Sequence, residues 1–229
     1  MLNRLLEIVA KYPHDFVPYL FLVISFGFGI RQLKYLDKGF RVLLLFSGIA
    51  VLVESLMIVY ALLKWNNTFL VNFFSLAELF CFSAFFYLYI NSKRKKRVIA
   101  ALSIIYFVIY LYGFEWSIIS NYIIGIQRLI FIAFALMFFQ NVLSELKVAN
   151  IIGHAAFWFS AGLLLFSAGT LFIFLFSTFT LDVENPQNIF DWSWTVTQYF
   201  SAVFYLFVTV SFWLNKKEMQ HGQMNGYHA

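Results

Sequence analysis

The sequence predicts an all-α integral membrane protein built as a single bundle of seven transmembrane helices. Two properties of the composition indicate this class: 62% of the 229 residues are hydrophobic, and only 12% are charged. Soluble domains carry about 25% charged residues. The third observation is that apolar runs approaching the length needed to cross a bilayer, about 20 residues, recur along the chain with brief polar loops between them. None of these loops is long enough to form a soluble domain.

The apolar runs define seven predicted spans. A short amphipathic stretch from Met1 to Lys11 precedes the first span, and we expect it to lie on the membrane surface. No small-residue cleavage site follows the first apolar run, so the stretch does not resemble a signal peptide. The first and fourth runs are short, and we expect their ends to extend into flanking polar residues. The predicted spans are residues 16–30, 41–63, 69–90, 98–112, 118–139, 155–176 and 192–214.

The basic residues predict the orientation of the bundle. Twelve of the sixteen Lys and Arg residues lie beside one set of span ends, whereas only Arg4, Lys11 and Lys64 lie beside the other. Cytoplasmic loops are enriched in Lys and Arg. We therefore expect the N-terminus outside and the C-terminus in the cytoplasm of a multi-pass plasma-membrane protein. Topology and contact with membrane lipids also account for the net charge of +5, so we do not expect a nucleic-acid partner.

Three ionisable residues fall within the predicted spans: Glu54, Glu78 and Arg128. A charge at the middle of a bilayer costs about 3 kcal/mol on insertion scales, and such residues normally face the interior of a bundle and pair with one another. Counting about 1.5 Å per residue from the span ends places all three near the midplane. We therefore predict a charge cluster that is either a structural clasp or the polar floor of a binding cavity.

Other polar residues recur on the faces of the same helices. In the last span, Trp194, Gln198, Ser201 and Tyr205 follow at helical spacing and form one stripe. Such a stripe can line a pocket or form hydrogen bonds between helices, and both interpretations stay open. Small residues of the sixth span, including Gly162 and Gly169, fit helix packing best. The candidate ligand-binding residues around the charge cluster are Asn72, Tyr60, Asn121, Gln127, Trp194, Gln198 and Tyr205.

The sequence offers little support for catalysis, and we assign no catalytic residue, metal ligand or cofactor. The histidines at positions 14, 154, 221 and 228 lie at opposite ends of the spans or in the C-terminal tail, so they cannot form a tetrahedral zinc site. No G-x-S-x-G nucleophile motif occurs. Helix breaks at mid-membrane, which many secondary transporters use, are also missing from the pattern. The protein is more plausible as a non-enzyme, although the question stays open.

Two segments carry a resemblance to a known group of proteins. One is Asn66-Asn67-Thr68-Phe69, which leads through Asn72 to the central Glu78 of the third span. The other is FWFSAGLLLFSAGTLFIFLFS, followed by an acidic loop and a last span with Gln and Tyr. Both segments resemble small seven-helix bacterial membrane proteins that are often encoded near sensor histidine kinases. The resemblance implies a bacterial inner-membrane location and a role in sensing, with a separate signalling protein such as a histidine kinase as partner.

These observations together favour a membrane sensor or receptor-like module. A small amphiphilic or lipid-derived ligand would bind in the intramembrane polar cavity, and the signal would pass to the separate partner through Lys93–Arg97 or through the C-terminal tail, residues 216–229. The alternative is a proton-coupled transporter or an intramembrane lipid-modifying enzyme that uses Glu54 and Glu78. Whether the chain forms a homo-oligomer is left open.

Overall fold

The computed structural model describes residues 13–114, 116, 121–145, 151–180 and 186–226, except for the side chains of residues 15, 121, 145, 174–193 and 221–226. The described residues form seven α-helices and two short 3-10 turns, Leu33–Tyr35 and Ile151–Gly153, and contain no strand. The helices are α1 (Pro13–Arg31), α2 (Lys38–Leu63), α3 (Thr68–Tyr89), α4 (Lys93–Gly113), α5 (Asn121–Glu145), α6 (Ala155–Thr180) and α7 (Pro186–Gly226).

The all-helical prediction is confirmed, and six of the helices are long and apolar enough to cross a membrane. The exception is α1, whose apolar part, Phe16–Arg31, is shorter. A chain with six such helices is a multi-pass membrane protein. We call the end that carries residues 32–37, 90–92 and the last turns of α7 the basic end, because the basic clusters lie there. The other end is called the opposite end.

Two helices are longer than the apolar runs predict. The basic run Lys93–Arg97 forms the start of α4, where the Ser92 hydroxyl caps the helix by accepting a hydrogen bond from the Lys95 amide at 3.5 Å. The last helix continues past Lys216 to Gly226. The expected extension of the fourth span into flanking polar residues is seen at residues 93–97, whereas the sequence did not predict that residues 216–226 of the tail continue the last helix. Hydropathy marks the apolar part of a helix, whereas Lys, Glu, Met and Gln continue a helix readily in water.

Six of the helices form a closed ring. Along it, α1 packs on α2, α2 on α3, α3 on α5, α5 on α6, α6 on α7, and α7 returns to α1. Helix α4 lies outside the ring and packs on α3 and α5. Only Ile99, Tyr106 and Tyr110 of α4 are buried. The remaining face of α4 is available to lipid.

A cluster of phenylalanine rings fills the basic half of the ring. Phe82 of α3 lies at its centre and contacts a ring from each of four other helices: Phe46 at 4.6 Å, Phe131 at 5.1 Å, Phe159 at 5.4 Å and Phe204 at 6.0 Å between centroids. Aromatic pairs in such tilted and edge-to-face arrangements contribute about 0.5–1.5 kcal/mol each beyond the area that they bury. The cluster therefore holds five helices at one level.

The contact between α6 and α7 depends on two glycines. A Cβ atom at Gly162 would lie 2.5 Å from the Cβ atom of Phe207, and one at Gly169 would clash with the ring of Phe200. Gly162 and Gly169 are seven residues apart on α6, as Phe200 and Phe207 are on α7, and the two pairs run in opposite directions. Small residues allow this close approach, as is common between membrane helices. The packing interpretation of these glycines agrees with the structure.

The opposite half of the ring is packed less tightly on one side. No residue of α2 from Val51 to Leu63 is buried, and none of α7 from Trp194 to Ser201 is buried. On the same two helices, Phe40, Phe46 and Ala50 of α2 and Phe204, Val208 and Phe212 of α7 are almost completely buried towards the basic end. The bundle therefore closes at the basic half and is packed less tightly along these segments of α2 and α7, which flank α1 in the ring.

We expect Phe82→Ala to destabilise the bundle strongly. Removing a buried phenylalanine ring costs about 3–5 kcal/mol in soluble cores, and we expect about 3 kcal/mol here because the loss is one of packing rather than of transfer from water. Denaturant-induced unfolding in detergent micelles would measure it. The matched control is Phe80→Ala on the same helix, since the Phe80 side chain is 53% exposed. Equal losses in both variants would contradict a core centred on Phe82.

Candidate functional site

A buried ion pair joins α3 to α5 near the middle of the bundle. Arg128 Nη1 donates to Glu78 Oε2 at 3.2 Å, and both side chains are less than one-tenth exposed. The guanidinium also lies over the Phe166 ring of α6, 4.4 Å from the centroid. Each charge is costly alone in an apolar interior, and the pair is retained because each neutralises the other. Arg128 thus connects α3, α5 and α6.

Hydrogen bonds beside the ion pair fix the positions of α4 and α5 against α3. Gln127 Nε2 donates to the Ser75 carbonyl oxygen at 2.6 Å, and the Ser75 and Tyr106 hydroxyls lie 3.1 Å apart. The Tyr110 hydroxyl donates to the Asn72 carbonyl oxygen at 3.0 Å. Tyr106 and Tyr110 are four residues apart, on the one face of α4 that is buried. Two of these bonds give a backbone oxygen of α3 a side-chain donor from a neighbouring helix, and the third joins two hydroxyls.

The second carboxylate, Glu54, lies on α2 and is half-buried. Glu54 is eight residues from Phe46, and Glu78 is four residues from Phe82, the ring that Phe46 contacts. At about 1.5 Å per residue, Glu54 is therefore offset from Glu78 by about one helical turn towards the opposite end. The buried Tyr205 side chain of α7 interacts electrostatically with Glu54, Glu78 and Arg128. The three predicted charges therefore surround one tyrosine, although only Glu78 and Arg128 form a described ion pair.

Several buried polar atoms of α5 and α6 have no hydrogen-bond partner among the described residues. They are Arg128 Nε, Gln127 Oε1, and the hydroxyls of Ser160 and Ser167 on α6. Buried polar atoms are satisfied in most proteins, and an exception is commonly explained by water or a ligand. The set holds one obligate donor, one obligate acceptor and two hydroxyls that can do either. It fits a small molecule that carries both hydrogen-bond donors and acceptors.

The remaining predicted site residues occupy different surroundings. Asn72 is buried, 7% exposed, on α3. The Tyr60 ring contacts Trp65 and Phe69 at the opposite end, at 5.5 and 5.6 Å between centroids. Gln198 is half-buried and Trp194 is 37% exposed, both on the loosely packed part of α7. The side chain of Asn121 lies outside the described residues.

A second polar cluster lies at the basic end. Asp37 Oδ1 accepts from the Phe40 amide at 2.9 Å and caps α2, while Asp37 Oδ2 accepts from the Tyr89 hydroxyl and from Asn215 Nδ2, the latter at 2.9 Å. In return the Asp37 amide donates to Asn215 Oδ1 at 3.2 Å. Close by, His154 Nδ1 and Glu218 Oε1 lie 2.7 Å apart, and the rings of Tyr89 and His154 are 6.3 Å apart. We call Asp37, Tyr89, His154, Asn215 and Glu218 the basic-end network.

Sequence reasoning did not find the basic-end network. Asp37 was treated as a loop residue and His154 as an interfacial one, and the partners of Asp37 lie 52 and 178 residues away along the chain. Local signals did exist. Asp37 stands directly before α2, where aspartate is a favoured N-cap. Asn215 and Glu218 are three residues apart on α7, which places them on one face.

Comparison with known protein families, with curated proteins and with solved structures finds no match to this chain. The similarity to seven-helix proteins encoded near sensor kinases therefore stays a prediction, and function is inferred here from the geometry of the chain itself.

We expect the charge of Glu78 and the charge of Arg128 to depend on each other for stability. Arg128→Gln leaves the Glu78 carboxylate buried without a countercharge, and Glu78→Gln does the same to Arg128; each should cost about 3–5 kcal/mol. The double variant, with two neutral amides that can bond to each other, should recover most of that loss. Unfolding free energies of the four proteins would measure the coupling. Additive losses would contradict a mutually compensating pair.

We also expect the basic-end network to contribute to stability through Asn215. Asn215→Ala removes two hydrogen bonds to Asp37 and leaves the half-buried Asp37 amide unpaired, which should cost about 1–3 kcal/mol. The matched control is Asn91→Ala, since Asn91 is an exposed asparagine at the same end. Thermal unfolding in detergent would compare the two. If both variants unfold at the wild-type temperature, Asn215 contributes nothing to the closure of the basic end.

Proposed function

We propose that the protein is a seven-helix membrane receptor that binds a small amphiphilic or lipid-derived ligand next to the Glu78–Arg128 ion pair, on the side of the pair that faces the opposite end. The observation that carries this proposal is the group of unpartnered buried atoms on α5 and α6, Arg128 Nε and Gln127 Oε1 among them. A purely structural clasp would leave fewer polar atoms unsatisfied, because each costs about 1–3 kcal/mol. A bound polar group would satisfy these atoms.

The ligand would enter from the opposite end, where residues 51–63 of α2 and residues 194–201 of α7, the two helices that flank α1 in the ring, are packed loosely. Glu54 and Gln198 are half-buried on these segments. Tyr205, which interacts with all three charges, would form the base of the path. The Phe82 cluster lies directly beyond the ion pair and closes the route to the basic end. In this arrangement the site is a cavity with one opening rather than a channel.

A signal would travel along α3. Glu78 and Tyr89 are both on α3, eleven residues and about 16 Å apart, with Phe82 and Phe85 between them. Tyr89 bonds Asp37 in the basic-end network. A ligand that displaces Glu78 from Arg128 would favour one position of α3 over another, and it can shift that equilibrium only by its difference in affinity for the two. The basic end would face the cytoplasm, with the N-terminus outside, and would present Lys93–Arg97 and the end of α7 to a separate signalling protein.

The alternative function is proton-coupled transport or lipid modification that uses Glu54 and Glu78. The offset of about one turn between a half-buried and a fully buried carboxylate is the observation in its favour, because it would suit proton exchange. The two functions differ in one measurable respect: a transporter or an enzyme would lose turnover in Glu54→Gln, whereas a receptor would have no turnover to lose.

We expect wild-type protein purified in mild detergent to retain a small molecule in native mass spectrometry. Glu78→Gln and Arg128→Gln should both lose it, because each variant alters the polar floor. Asn141→Leu is the matched control: it removes a buried polar side chain of α5 about 20 Å from Arg128 along the helix axis, and it should retain the molecule. Wild type and both site variants free of any adduct, in folded form, would contradict a ligand site and leave the ion pair as a clasp.

A further inference from the structure

A groove lies at the basic end on the lipid-facing side of α4, far from the ion pair in the ring. Its volume is about 380 Å³, and it is lined by Tyr87, Lys93, Lys96, Arg97 and Ala100. Sites for small molecules have volumes of about 300–1,000 Å³. We call it the basic groove.

The basic run of α4 divides into residues that line the groove and residues that do not. Lys93, Lys96, Arg97 and Ala100 are related by helical spacing of three, four and seven residues and share one face. Arg94 does not line the groove. Lys95 points towards α5, where its ammonium group donates to the Met137 carbonyl oxygen at 3.5 Å. Three of the five basic residues of the run therefore line the groove.

The groove concentrates positive charge that the protein does not neutralise. Among the described residues, no ion pair joins Lys93, Lys96 or Arg97 to a carboxylate, and no acidic residue lines the groove. Like charges at three- and four-residue spacing on a helix repel each other. Lys96 is held over the Tyr87 ring, 4.8 Å from its centroid, which fixes its ammonium group in place. An anion bound between these side chains would relieve the repulsion.

An apolar strip continues from the groove along α4 towards the opposite end. Ile104, Val108 and Leu111 follow Ala100 at spacings of four, eight and eleven residues, and they are 64%, 59% and 60% exposed. A free inorganic anion would not contact such a strip, whereas the acyl chains of a lipid would lie along it. The charged groove and the apolar strip follow each other along α4 in the order in which a phospholipid carries its phosphate and its acyl chains.

We propose that the basic groove is a specific binding site for the phosphate-bearing headgroup of an anionic phospholipid, with the acyl chains lying along Ile104, Val108 and Leu111. Lys93, Lys96 and Arg97 contact the phosphate and its substituent, and Tyr87 orients Lys96. This site is independent of the proposed receptor function, since it requires only that the basic end of α4 lies at a membrane surface. It differs from diffuse attraction of basic residues to anionic lipid because it is confined to one face of the helix.

The test is native mass spectrometry with added phosphatidylglycerol, and with phosphatidylcholine of the same chains as the neutral lipid. Wild type should retain phosphatidylglycerol in preference. Lys96→Gln and Arg97→Gln should each weaken retention about fivefold, equivalent to about 1 kcal/mol per basic residue. Arg94→Gln removes the same charge from the same turn of the helix but outside the groove, and it should weaken retention less than twofold. Equal losses in Arg94→Gln and Lys96→Gln would overturn the proposal in favour of diffuse attraction.

Two further arms complete the test. Tyr87→Leu should weaken retention of phosphatidylglycerol at least twofold, because Lys96 loses the ring that positions it. Unchanged retention in both Tyr87→Leu and Lys96→Gln would overturn the site. Soluble glycerol phosphate at millimolar concentration should not displace the lipid; displacement would assign the groove to a free phosphate compound instead. Thermal unfolding confirms that each variant is folded, and Lys93→Gln replaces Lys96→Gln or Arg97→Gln if either is not.

Discussion

The ion pair between Glu78 and Arg128 is the interaction on which the arrangement of the bundle depends. In a bilayer, lipid tails solvate apolar side chains as well as neighbouring helices do, so apolar burial alone specifies few contacts. A buried charge has no such freedom, because it must stay beside its counterion. The pair therefore fixes the rotation of α3 and α5, and the stacking of Arg128 on Phe166 adds α6. Once α3 has this rotation, Phe82 faces the centre of the ring, and Ser75 faces Gln127 and Tyr106.

The sequence predicted the features that follow from the cost of charge in an apolar phase. That cost required Glu78 and Arg128 to lie inside the bundle, and counting residues brought them to similar depth. For Glu54 the prediction was limited to its depth. Depth within one helix does not determine which neighbouring helix a side chain faces, so it could not show which residue Glu54 would contact. The basic-end network could not be predicted either. Asp37 and Asn215 are both at a polar boundary, where water can satisfy their hydrogen bonds, so nothing in the sequence requires them to pair. Hydropathy alone did not show where α4 begins or where α7 ends, since the bilayer boundary is not a helix boundary.

The two halves of the ring serve different physical purposes. Towards the basic end, rings from five helices contact one another around Phe82, and displacing any one of them would open a void. Towards the opposite end, residues 51–63 of α2 and 194–201 of α7 bury nothing completely, and these segments can separate at little cost. Two of the polar atoms without partners, Arg128 Nε and Gln127 Oε1, belong to residues that also bond to α3 in the middle of the bundle. A molecule bound there, as we propose, would be held by the rigid half and reached through the loose half.

In the proposed receptor, the basic-end network would allow α3 to couple the ligand site to the basic end of the bundle. Tyr89 is the last residue of α3, and its hydroxyl shares the Asp37 carboxylate with Asn215 of α7. A shift of α3 along its axis would be absorbed by flexible side chains if its end were solvated. Here it would instead stretch or break bonds to the cap of α2 and to α7. Interfaces of packed helices change between discrete arrangements rather than continuously. A movement of Glu78 by a fraction of a turn would therefore change the hydrogen-bond partners in the basic-end network.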